Sequence, residues 1–164
     1  MNKSIVVLFI LFSNIAKSQD DCVFNNDYQG LTKDWIEETG TNYKFVWVEE
    51  LNSFVARLSN VEIISLSAGG CYSSGRTIKY QNTEIDSFDN IDFWMTMALK
   101  LAKEFQMDLF IKPLEEKSWN LKYENERNLI YGIPIDSDEY RIVEGIILER
   151  DEKSHALVLS YYIN

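Results

Sequence analysis

Apolar positions follow two different periods along this chain. Tyr43, Phe45 and Trp47 alternate with Lys44, Val46 and Val48, a period of two that puts the aromatic rings on one face of a strand. Residues 49–53 have turn composition, residues 54–58 and 61–67 read as two further strands, and Ser59 and Asn60 make the tight turn between them. Connections this short join antiparallel neighbours, because a parallel crossover needs a dozen or more residues. Residues 76–80 read as another strand.

The period then lengthens. Ile91, Trp94, Ala98, Leu101 and Phe105 fall at spacings of three and four, with Met95 and Ala102 widening the stripe, and this predicts one long amphipathic helix over 91–105. Asp89 or Asn90 caps it, while Asp92 and Lys103 complement its dipole. A shorter helix is expected over 31–39, with Leu31, Trp35 and Ile36 inward and Gly40 as its left-handed stop. Further on, residues 109–112 read as a short strand ending at Pro113, and 119–124 pair with 128–135. Residues 140–148 and 155–163 form a last hairpin around the charged turn 149–153, and apolar residues on both their faces predict central strands. The expected fold is α+β, with an antiparallel sheet of six to eight strands packed against the long helix and a short N-terminal helix before it. The order of elements excludes the alternating βαβ units of a doubly wound fold.

With 164 residues, 46% hydrophobic and 26% charged, with two prolines, no repeat and no low-complexity tract, the composition is that of a single globular domain. The first eighteen residues stand apart from it. Lys3 gives a positive start, residues 5–12 an apolar core, and Ala16 and Ser18 the small residues of a signal-peptidase site, so the mature domain is expected to span 19–164 and to be periplasmic or secreted. The apolar run stops at Ser13 and Asn14, short of the roughly 20 residues a membrane helix needs. Asp20 and Asp21 before Cys22 are not the small or apolar residues that lipidation needs.

Export gives the two cysteines a meaning, since Cys22 and Cys71 would meet in an oxidising compartment, and a disulfide between them is the expected pairing. The alternative makes Cys71 a nucleophile in the small-residue stretch 68–75, with His155 as its base. Loss of Lys3 and Lys17 with the signal leaves 14 basic against 26 acidic residues, moving the formal charge from −10 to −12. Such a field disfavours nucleic acid and anionic lipid and favours a basic protein partner.

Chemistry-bearing motifs are sparse. A single histidine and two cysteines leave zinc without its usual ligands, Asp86, Asp89 and Asp92 lack the EF-hand pattern, and 68–75 lacks the spacing of a phosphate-binding loop, so no metal or cofactor is expected. Adjacent carboxylates at Glu37 and Glu38, Glu49 and Glu50, or Glu115 and Glu116 diverge on a helix or strand and do not form a glycosidase pair. The expected function is therefore an exported, non-enzymatic protein-binding domain, an inhibitor or immunity protein against a basic toxic or wall-degrading enzyme. Its expected contact residues are the acidic turns with Glu49 and Glu50 and with Asp136, Asp138 and Glu139, and the loop with Gly69, Gly70, Tyr72 and Arg76. The alternative is a small envelope hydrolase or ligand-binding domain built on Cys71 and His155 or on a carboxylate pair.

Overall fold

A computed structural model describes residues 24–25, 27–71, 75–85, 87–134, 142–151 and 154–162. The chain is α+β. In chain order the elements are β1 (Phe24–Asn25), α1 (Tyr28–Thr39), β2 (Val46–Val48), a 3-10 turn (Glu49–Leu51), β3 (Ser53–Arg57), β4 (Glu62–Cys71) and β5 (Gly75–Asn82). They continue with α2 (Ile91–Glu104), α3 (Asp108–Glu115), β6 (Asn120–Glu124), β7 (Asn128–Gly132), β8 (Ile142–Asp151) and β9 (Ser154–Tyr162). Eight strands form one antiparallel sheet in the order β2-β3-β4-β5-β9-β8-β7-β6, with β1 pairing separately to β4.

Register explains which face is covered. Ile64 and Leu66 of β4, Ile78 and Tyr80 of β5, Leu157 and Leu159 of β9, and Ile146 and Leu148 of β8 stand side by side on one face and pack with Trp35, Trp94, Leu101 and Phe110 from the helices. Ala156 and Val158, one residue out of phase on β9, are buried on the opposite face. There Lys79 and Glu149 join at 2.5 Å, and the Thr77 and Ser160 hydroxyls hydrogen-bond at 3.0 Å. A strand apolar on both faces belongs inside a sheet, and β9 takes that place.

Among the described residues three helices accompany the sheet, where the sequence predicts one long helix and a short N-terminal helix; α3 is the addition. α1 lies along β3 and β4, and α2 packs against α3. Asn90 caps α2, its side chain accepting from the Phe93 N–H, and Asp27 caps α1 in the same way through Gly30. That cap starts α1 three residues before its apolar stripe, and Gly40 ends it in the left-handed conformation. Thr32 fastens α1 to the sheet: its hydroxyl donates to the Tyr28 carbonyl and accepts from the Ala68 N–H at 2.8 Å. On this edge of β4, pairing with β3 ends at Leu66 and pairing with β1 begins at Gly70, so Thr32 fills the interval between two ladder partners.

Three expectations fail here, each for a local reason. Residues 109–112 are helical within α3, and Pro113 lies inside that helix instead of ending a strand. Three apolar letters and a lysine carry no period, and it is burial of Phe110 and Leu114, four residues apart on one helical face, that shows the helix. The glycine-rich stretch 68–75 is mostly not a loop, since β4 runs on through Cys71 and β5 starts at Gly75, with 72–74 outside the described residues. Gly69 serves close approach: the Tyr28 ring occupies the space where a side chain would stand. The turn expected over 149–153 is also shorter, because β8 continues to Asp151.

Candidate protein-binding surface

Register along the sheet separates the residues of the alternative catalytic pair. Glu62 at the start of β4 aligns with Asn82, which aligns with His155, whereas Cys71 lies nine residues further along β4, about 30 Å away at about 3.3 Å per residue. His155 is buried with its ring edge-on to Phe88 at 4.5 Å, and its Nε2 has no hydrogen-bond partner. Arg150, its cross-strand neighbour, places its guanidinium 5.7 Å from the same Phe88 ring. The paired carboxylates are partly engaged elsewhere: Glu37 with Lys33, Glu38 with Arg76 and Glu115 with Lys103. Among the described residues no group of three or more His, Cys, Asp or Glu gathers to hold a metal, and no helix is long and apolar enough to cross a membrane.

The expected contact residues part company. Gly69 is buried in β4 under Tyr28, and Gly70 pairs with Asn25 of β1. Arg76 is tied to α1, 3.2 Å from Glu38 and 5.1 Å from the centre of the Trp35 ring. These three hold α1 and β1 to the sheet. Tyr72, Asp136, Asp138 and Glu139 lie outside the described residues, as does Cys22. Cys71 aligns with Phe24, two residues along the chain from Cys22.

Glu49 and Glu50 are exposed, at the corner where β2 turns into β3. The Trp47 indole N–H donates to Glu49 Oε2 at 2.7 Å, and its ring packs 5.1 Å from Phe54 on β3, so one carboxylate of the pair is held by the sheet itself. The corner closes through Asn52, in the left-handed conformation with its N–H on the Glu49 carbonyl, and through the Ser53 hydroxyl on the Leu51 carbonyl. On the other face of β2 from Trp47 stands Val46, 66% exposed, with half-buried Val48 and Val55 on its face, and Leu51, 61% exposed, follows the two acids in the turn. Val46, Trp47 and Leu51 were missed as site residues. Only Val46 has a sequence signal: Val46 and Val48 share the solvent-side phase with Lys44, where polar side chains are the rule.

Leu121 and Tyr123 on β6 are also exposed, at 46% and 53%, and Ser118, Trp119, Lys122, Ile133 and Pro134 line a shallow cavity beside them of about 330 Å³. This second surface differs in charge, carrying Lys122 instead of an acidic pair.

At the start of β4 the buried Tyr80 hydroxyl donates to Glu62 Oε1 at 2.6 Å and accepts from Asn82 Nδ2 at 3.3 Å. Burial, and then the bond to Glu62, push its pKa up to about 12. Folding therefore holds a proton that the unfolded chain releases above pH 10, so this contribution to stability is complete below pH 10 and is lost as pH rises to 12. Burial also raises the tyrosines at 43 and 131. In an alkaline tyrosinate absorbance titration, Tyr80→Phe should remove the highest step, and an unchanged high step would contradict this assignment.

Comparison with protein families, with characterised proteins and with solved structures finds no match to this chain.

Proposed function

We propose that this chain is an exported, non-enzymatic binding domain for a basic protein, in the manner of an inhibitor or immunity protein, and that the β2–β3 corner is its contact surface. The observation that carries the proposal is one corner that exposes Val46 on one face of β2 and Leu51, Glu49 and Glu50 in the turn that follows, with Glu49 held by Trp47. Exposed aliphatic side chains contribute binding energy when a partner covers them, and acids around them select a cationic partner and speed the encounter. The formal charge of −12 on the mature domain, 14 basic against 26 acidic residues, acts in the same direction over longer range. The proposal includes the Cys22–Cys71 disulfide, which the alignment of Phe24 with Cys71 supports by bringing the chain close to that cysteine. A Cys71 and His155 hydrolase has no such support, given their separation along the sheet.

The test is association kinetics against a panel of purified basic secreted hydrolases, muramidases and ribonucleases among them. Association should be fast at low salt and fall by about tenfold to a thousandfold as charges are screened, with dissociation changing far less. Glu49→Lys with Glu50→Lys should slow association at low salt, and because Trp47 loses its acceptor at the exposed Glu49 the thermal midpoint should fall by only about 2–4 °C. Binding that ignores both salt and this double reversal would reject the corner as the contact surface.

A further inference from the structure

Among the described residues neither end of the sheet has an outer partner strand, and the chain treats the two edges differently. At one end β6 carries a register irregularity between Leu121 and Tyr123, which leaves Lys122 as the extra residue, its stem lying across Gly132 of β7. A bulge and a lysine on an edge strand are the usual devices that stop another chain from pairing there. At the other end β2 reads Val-Trp-Val, with regular pairing to β3 and with no proline, lysine or bulge inside the strand. Only its three-residue length limits it, so what pairs with it must be short and must draw on neighbouring side chains as well.

Those side chains fix the chemistry of the occupant. Glu49 and Glu50 follow β2 directly, Val46 is exposed on the strand, and Lys44 lies two residues before it. From this, and resting on the binding reading above, we infer that the partner enters as an extended basic segment that adds a strand to the free edge of β2. Backbone hydrogen bonds run to residues 46–48, an apolar side chain lies over Val46, and Lys or Arg lies beside Glu49 and Glu50. A second copy of this chain fits less well, because two mature molecules of formal charge −12, 14 basic against 26 acidic residues, repel at every approach. Main-chain pairing supplies affinity with little dependence on sequence, while the acidic pair and the valine select the segment.

Two amidated heptapeptides of equal charge make the test, one alternating Lys and Val and the other alternating Lys and Pro, which has half the backbone donors and cannot join a sheet. Each is titrated at low salt into the full mature chain, with amide hydrogen exchange followed residue by residue. The Lys-Val peptide should bind at least tenfold more tightly and slow exchange within residues 46–48. Equal affinity for the two peptides, with exchange at 46–48 unchanged, overturns strand addition while leaving the charged corner intact. Protection at 120–124 instead overturns the choice of edge, and a sedimenting dimer with 46–48 already protected in the free chain overturns the choice of occupant. Failure of the binding reading has a separate signature: Glu49→Lys with Glu50→Lys would leave the affinity of both peptides unchanged.

Discussion

Replacing Trp35 with alanine is expected to lower stability by about 3–5 kcal/mol, the range for truncating a fully buried indole. Three interactions end at this ring. Its N–H donates to the Phe105 carbonyl at 3.0 Å, its face meets the Phe105 ring edge to face at 6.3 Å, and Arg76 lies 5.1 Å from its centre. Phe105 closes the C-terminal end of α2, so Trp35 is the point at which α1, α2 and β5 are joined. Trp35→Ala would leave a cavity and also a buried carbonyl without its donor. Trp35→Phe keeps most of the volume and loses only that bond, at a cost of about 1–3 kcal/mol. Denaturant midpoints decide it. A loss within about 0.5 kcal/mol for the alanine variant is the behaviour of a surface site and would refute this packing.

The second large effect is expected at Gly145, where β8 is irregular against β9 between Val143 and Gly145. Its φ of +93° is one that side chains rarely adopt, and a Cβ would run into the Tyr131 carbonyl oxygen on β7. That obstacle is backbone, held in a central ladder, and cannot rotate away as a side chain would. Gly145→Ala should cost about 3 kcal/mol or more from strain and lost pairing together. For a domain of this size that is roughly 6–12 °C in thermal midpoint. A midpoint within about 2 °C of the parent protein would show that β7 and β8 can part without penalty at this position.

Long periodic segments were legible and short ones were not. The stripe from Ile91 to Phe105 foretold α2 to within one residue, and the aliphatic character of both faces of 155–163 foretold an interior strand. The run 109–112 misled because a buried face of two residues, Phe110 and Leu114, leaves no period to read. Glycines at 69, 70 and 75 suggested a loop because composition shows that a side chain is missing and not what fills its place, which at Gly69 is Tyr28 from α1. Of the proposed contact surface, Glu49 and Glu50 could be read as a charged turn. Leu51 could not be distinguished from a core residue, since nothing local tells an exposed leucine from a buried one, and the Trp47 bond to Glu49 depends on a rotamer that only packing against Phe54 selects.

The place of β9 governs the order in which the fold can be completed. Strands β2 to β5 form one run of neighbours and β6 to β8 another, and the two meet only through β9, which pairs with β5 on one side and β8 on the other. Synthesis from the N-terminus therefore produces two part-sheets, each with an unfilled edge, before the strand that joins them emerges. Pairing Arg76 with Tyr161 closes a loop of more than 80 residues, a contact of long sequence separation whose closure entropy must be met before its burial is gained. Until then β5 and β8 each present an open hydrogen-bonding edge, so the interval before Ser154–Tyr162 inserts is when the chain is most exposed to pairing with the wrong strand.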